Sequence, residues 1–342
     1  MVTILRSAGP RRRRRAPRGR LVIALIAAAV LVAGLIYALQ GPAPHGTAAR
    51  GPHAPQRPRA SQRPRAPQAQ AWTTVWTAGF AGPAGGAVST GVWKFDTGSG
   101  VFGTQEVETM TDSAQNVHVD GQGDLDITAL GQGGPGSGGG AAWTSGRIQT
   151  RQLFAPPPGQ QMMVTASIRQ PDPADGAGYW PAFWMLGLGP WPERGEIDVL
   201  EDEDALSTHS GTLHCGNLTQ RNSDGTFGPC HEGDGLGSGR LPCPGCQTGF
   251  HTYSVIIDRR DEADQQIRWY LDGREFFSVS ESEVGPAAWT TAVDHGFAII
   301  LSVAVGGSYP DIVCHCVTPN GQTSSGGTMT VRQLAVEVSA GP

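Results

Sequence analysis

From Ala71 onward the apolar residues come in short runs separated by Gly, Pro, Asp and Asn. DLDITAL (124–130) and HTYSVIID (251–258) alternate with period two, the pattern of strands with one face on a core. QIRWYLDGREFFSV (266–279) reads as strand, Asp-Gly turn and strand, a hairpin. FAIILSVAV (297–305) has no polar face and predicts a strand buried on both sides, and TMTVRQLAVEV (328–338) predicts a closing strand. No long amphipathic helix is visible. Many short strands with turn residues between them predict an all-β sandwich or barrel, here one domain over residues 72–342.

The N-terminus has a different pattern. Residues 1–20 are densely basic, with Arg6, Arg11–Arg15, Arg18 and Arg20. Residues 21–39, LVIALIAAAVLVAGLIYAL, carry no charge. As a helix this run spans about 28 Å, close to the hydrocarbon thickness of a bilayer. Arginine before the run and none directly after it orient the rest of the chain outside the cytoplasm. The run is long for a signal peptide and lacks a clean small-x-small cleavage site, so an uncleaved signal anchor is expected, with a cleaved signal peptide and a secreted enzyme as the alternative. Residues 40–71 are rich in Pro, Ala, Gln and Arg and are expected to form a disordered, semi-rigid linker.

Composition supports this division. The 49 Gly and 26 Pro disfavour helices and suit turns. Residues 1–70 contain 13 of the 25 basic residues and no acid, which leaves 12 basic against 30 acidic residues beyond them, a formal net charge of −18. A domain so acidic is unsuited to nucleic acid, whose phosphates reward Lys and Arg.

The six cysteines are Cys215, Cys230, Cys243, Cys246, Cys314 and Cys316. An even count in an exported chain points to disulfides, and six cysteines permit fifteen pairings. Cys215–Cys230 and Cys243–Cys246 are the local candidates, whereas Cys314-His315-Cys316 is too tight for an easy bridge. A zinc site using His214, His231 or His315 is the rival reading. It has only one Cys-x-x-Cys pair to draw on, so no metal or other cofactor is expected.

The densest chemistry lies in WPERGEIDVLED (191–202). On a strand, Glu196 and Asp198 share a face, but Glu201 points to the opposite one. A one-residue β-bulge between Asp198 and Glu201 would return all three carboxylates to one face. Such crowding raises at least one pKa, which is useful where one carboxyl must stay protonated beside an ionised one, as in glycosidic bond hydrolysis. Charge alone leaves open a solvated acidic strand or a calcium ligand set, since Asp202, Glu203 and Asp204 follow. The neighbours narrow the choice. Tyr179, Trp180, Phe183, Trp184 and Trp191 stand beside the acids, and aromatic faces stack on the C–H surfaces of sugar rings.

GYWPAFWMLG (178–187) followed by WPERGEIDVLE (191–201) resembles glycoside hydrolase family sixteen, in its laminarinase-like endo-β-1,3-glucanase branch. The resemblance extends over about residues 72–338 and includes SGRIQT (145–150), GTLHCG (211–216), GFHTYSVIID (249–258), IRWYLDG (267–273) and AVGG (304–307). It implies a jelly-roll β-sandwich with a concave glycan-binding cleft and a retaining mechanism. Glu196 would be the nucleophile, Glu201 the general acid and then base, and Asp198 the residue that tunes the proton balance. Trp180, Trp184 and Trp191 would line the cleft, and Arg147 and His214 would stand near the bound sugar. The implied substrate is a β-1,3- or mixed β-1,3/1,4-glucan. Transglycosylation and non-catalytic glucan binding are alternatives, although binding-only relatives typically lack the two glutamates. A monomer is expected.

Three departures from the family stand out. The opening of the domain reads TAGFAGPAG (77–85) and its close reads Val331-Arg332-Gln333-Leu334, which puts Arg332 where relatives carry a calcium-binding Asp. No structural calcium is therefore expected there. Ser302 replaces a common Asn. VFGTQEVETMT (101–111) lacks the paired Asn of many laminarinases.

Overall fold

The computed structural model describes residues 71–100, 103–132 and 142–339. The expected basic segment, apolar run and nearly all of the linker lie outside these residues. Among the described residues no helix is long and apolar enough to cross a membrane.

Among the described residues two eight-stranded antiparallel sheets enclose the core, and a further sheet has four strands. The first sheet runs Arg274–Ser280, Gln266–Leu271, His251–Asp258, Gln161–Arg169, Thr328–Ser339, Leu125–Thr128 and Val117–Val119, with Thr73–Ala78 also on Thr328–Ser339. The second runs Leu236–Gly237, Thr208–His214, Glu196–Glu201, Tyr179–Gly187, Phe297–Val305, Arg147–Thr150 and Trp93–Phe95, with Leu241–Pro242 also on Thr208–His214. Among the described residues helices are confined to the short segments Glu281–Val284, Pro286–Ala292 and Ser308–Cys314.

The period-two segments form strands for the reason their pattern suggested. In the first sheet Val255 pairs with Val164, Ile257 with Met162 and Tyr253 with Ala166, and all six are buried in the core. The hairpin turns at Asp272-Gly273, both at positive φ (50° and 75°), as a two-residue turn compatible with strand twist requires. Phe297–Val305 lies between Tyr179–Gly187 and Arg147–Thr150. Phe297, Ile299, Leu301, Val303 and Val305 are buried, while Ser302 and Ala304 on its other face line a cleft.

All six cysteines are bridged: Cys215–Cys230, Cys243–Cys246 and Cys314–Cys316. The last corrects the expectation that this pair is too close in sequence. His315 adopts a left-handed conformation at the end of the helix Ser308–Cys314. The reversal brings Cα atoms two residues apart to 5.2 Å, within disulfide reach.

Candidate active site

The strand Glu196–Glu201 sits between Tyr179–Gly187 and Thr208–His214, and its register breaks on both sides. Toward Thr208–His214, Asp198 pairs with Thr212 and Glu201 with Ser210, so the acidic strand carries one extra residue. Toward Tyr179–Gly187, Leu200 pairs with Phe183 and Asp198 with Trp184, which leaves Val199 unpaired. This is the predicted bulge. Val199 and Leu200 are both buried in the core with Ile197, and Glu196, Asp198 and Glu201 together line one cleft. The strand begins only at Glu196; Trp191 lies in the turn before it rather than on it.

A side chain from the opposite sheet supports the bulge. Trp269 is fully buried, and its indole N–H donates to the Asp198 carbonyl at 2.8 Å. A buried indole N–H needs such a partner. Gly211 leaves room for the ring, since a Cβ there would meet Trp269 Cδ1 at 2.5 Å. Sequence reading passed over this tryptophan as part of a hairpin strand.

The cleft has a volume of about 530 Å³. Trp180, Trp184, Trp191 and Arg147 line it with the three acids, as do Glu106 and Ser302. The indole N–H of Trp180 donates to Glu201 Oε1 at 2.9 Å. Trp184 donates to Ser302 Oγ at 3.2 Å. The Arg147 guanidinium stacks 4.5 Å from the Trp184 ring centre and pairs with Asp96 at 3.3 Å. Trp191 is 45% exposed, free to present a face to a ligand, while its ring centre lies 5.5 Å from that of His214.

His214 stands directly across from Glu196 in the strand register. Its Nε2 lies 3.5 Å from Asp198 Oδ2 and 3.9 Å from Glu196 Oε1. Its Nδ1 lies 2.7 Å from Glu232 Oε2, a residue the sequence reading missed.

Burial raises the pKa of all three cleft carboxyls. Neighbouring carboxylates add to this at Glu196 and Asp198, whereas His214 opposes it at all three and the Trp180 hydrogen bond opposes it at Glu201. For His214 itself burial favours the neutral ring, but the Glu232 hydrogen bond and the Asp198 and Glu196 charges outweigh it and push the pKa up to about 10.

Asp202, Glu203 and Asp204 are buried, which removes the solvated-strand reading. Asp202 accepts from the Thr208 backbone and hydroxyl, and Asp204 accepts from the Gly178 backbone at 2.6 Å. Among the described residues two groups place three possible metal-ligand atoms within 4.8 Å of one another: Cys243, Cys246 and His251, and Glu196, Asp198 and His214. The first has its sulfurs in a disulfide. The second is made of two of the cleft acids and the histidine that faces them.

A family profile described as the XgeA-like, catalytic GH16 domain matches residues 141–229. The chain is 30% identical to the glucan endo-1,3-beta-glucosidase A1 of Niallia circulans over 250 residues, 66% of this chain and 33% of that enzyme. It thus spans about a third of the length of that relative. It is 27% identical to the beta-glucanase of Rhodothermus marinus, covering 71% of this chain and 78% of that one. Its fold is similar to the crystal structure of the endo-1,3-beta-glucanase from Streptomyces sioyaensis, with a TM-score of 0.70 and 38% identity over 81% of this chain and 99% of that chain. With a bulged carboxylate strand in an aromatic cleft, and this identity across nearly the whole of a solved relative, the chain belongs to glycoside hydrolase family 16 and is a glycoside hydrolase of its laminarinase-like branch.

Proposed function

We propose that the domain over residues 72–342 cleaves internal β-1,3 bonds of β-glucans, including mixed β-1,3/1,4-glucans, with retention of anomeric configuration. The observation that carries the reading is the bulge at Val199, which turns Glu196, Asp198 and Glu201 toward one cleft. In this mechanism Glu196 attacks the anomeric carbon and forms a covalent glycosyl-enzyme. Glu201 protonates the departing oxygen and then takes a proton from the water that releases the sugar. Asp198 lies between them and, with His214, sets which carboxyl of the group ionises first. Trp180, Trp184 and Trp191 offer stacking faces for sugar rings, and Arg147 and Ser302 offer polar contacts. The names of the relatives support glucan as the substrate class.

The chemistry is proposed to occur outside the cytoplasm, on a monomer held by the apolar N-terminal segment or released from it. Three disulfides fit an oxidising compartment.

Laminarin, lichenan, agarose and xyloglucan, each incubated with the protein, separate the possible substrates. Cleavage of laminarin to short oligomers with β-configured new ends is the expected result. Glu196→Gln should abolish turnover while glucan binding and melting temperature stay close to those of the parent. Near-normal activity in that variant removes the mechanism.

A further inference from the structure

Glu232 is fully buried. Its Oε1 accepts the backbone N–H of Cys215 at 2.8 Å, and its Oε2 meets His214 Nδ1 at 2.7 Å. Among the described residues its one ion pair is with His214. A buried carboxylate without a cation is costly, so the pair is stable when His214 carries its second proton.

The loop is built to keep this contact. Cys215–Cys230 closes it beside both partners. Glu232 exchanges two backbone hydrogen bonds with Phe227, at 2.6 and 2.7 Å. Gly235 passes so close that a Cβ there would meet His214 Cε1 at 2.9 Å. Trp191 flanks the ring from the turn before the carboxylate strand. The ring has little freedom to turn away.

We propose that Glu232 is a positioning residue: it holds His214 as a two-donor imidazolium whose Nε2–H faces Asp198 and Glu196, and so selects the nucleophile side of the carboxylate trio for ionisation. This deepens the proposed glucanase mechanism and rests on it for the role of Glu196. Other charges also face the trio: Glu232 raises the Glu196 and Asp198 pKa by its own charge, Glu203 lies beside Glu201, and Glu106 lines the same cleft. Glu196 feels Glu201 and Arg147 as well as His214, and Asp198 feels Glu201 and Glu196. Arg147 pairs with Asp96 and acts on Glu196 less strongly than His214 does, whose Nε2 lies 3.5 Å from Asp198 and 3.9 Å from Glu196. Without Glu232 the ring loses its stabilising partner and is neutral at a lower pH. The charge of Glu232 raises the Glu196 and Asp198 pKa more weakly than His214 lowers them, so once the ring is neutral the trio ionises less readily and the acid limb of the pH–rate profile moves to higher pH.

Two measurements on the full-length protein test this. In a histidine NMR titration His214 should remain protonated beyond pH 8 in the parent and titrate below pH 8 in Glu232→Gln, and Glu232→Asp should restore part of the shift. In the kinetics, the acid limb of kcat/KM on laminarin should move up by half a pH unit or more in Glu232→Gln, with KM changed less than twofold. Glu232→Gln should add no further upward shift in a His214→Gln background. An unchanged His214 titration overturns the proposal. So does a fall in kcat/KM that is uniform across pH, the signature of a merely structural role. If Glu232→Gln does not fold, the Glu232→Asp and His214→Gln proteins carry the same test: His214→Gln must shift the acid limb upward, and an unshifted limb overturns the proposal. The NMR titration in the Glu196→Gln protein separates the two readings. A protonated His214 there supports the Glu232 coupling whatever that variant's activity, while persistent activity overturns only the assignment of Glu196.

Discussion

At the scale of single residues, the cleft acids are distinguished by their partners rather than by their own chemistry. All three are crowded and desolvated. Glu201 has an indole donor in Trp180, and Glu196 and Asp198 face the His214 ring. A donor to a carboxylate favours the ionised form, so the Trp180 contact holds the Glu201 pKa down against burial. Trp180→Phe removes that donor and keeps a ring. The Glu201 pKa should then rise, and because Glu201 acts as the protonated acid, the alkaline limb of the pH–rate profile should move to higher pH. A kinetic profile on laminarin between pH 5 and 10 checks the direction, and a downward move contradicts the assignment. The three acids were legible from their spacing, as was Trp180 from its neighbours. Glu232 and Trp269 were not, because each acts on a residue far from it in the chain: Glu232 on His214 and Trp269 on Asp198.

At the scale of elements, one extra residue sets the face on which Glu201 stands. Strand side chains alternate, so deletion of Val199 restores regular pairing but turns one end of the strand over. Either Glu201 enters the core, or Glu196 and Asp198 do. Activity should fall below detection, and the melting temperature should drop as a carboxyl replaces an apolar side chain. Activity retained within tenfold of the parent removes the bulge from the argument. The closing strand has its own irregularity. Its register with Gln161–Arg169 shifts at Ser167/Ile168, where Arg332 is skipped. The Arg332 guanidinium donates to Asp124 at 3.0 Å and lies 3.8 Å over the Phe250 ring. A fixed cation paired with this acid makes the spot a poor calcium site. Melting temperatures in millimolar calcium and in EDTA should therefore agree. A marked rise with calcium would show that a site exists. The strands themselves were readable because period-two burial is a local property. The Cys314–Cys316 bridge was misjudged because it depends on a left-handed residue at a helix end, which sequence separation does not reveal.

At the scale of the whole molecule, the buried ionisable groups give stability a direction in pH. Burial pushes Glu108 to about 7 and Glu203 to about 8, above their values in an unfolded chain. The folded state therefore holds these protons more tightly, and stability is lost as pH rises through that range. His214, raised to about 10, acts in the same sense: its contribution is complete below its ordinary value near 6.5 and disappears as pH rises through about 10. His209 and His295, lowered by burial, act oppositely but only below their ordinary value. Between pH 6.5 and 9 the remaining contributions agree, so the melting temperature should fall across that window. A scanning calorimetry series in matched buffers tests this, and a flat or rising trend contradicts it.

The sequence by itself determined the sandwich class, the strands, the bulge and the acid trio. These follow from alternation and spacing along a few consecutive residues, where burial on one face is the dominant energy. It also carried the family resemblance, which 38% identity over a solved relative supports. Only the tertiary structure decided what surrounds those acids: an indole from the opposite sheet on the Asp198 carbonyl, a buried glutamate behind His214, and Asp202, Glu203 and Asp204 turned inward rather than into solvent. The physical reason is that a carboxyl's protonation depends on desolvation and on charges a few ångströms away, and these are set by which distant segments the packed core brings together.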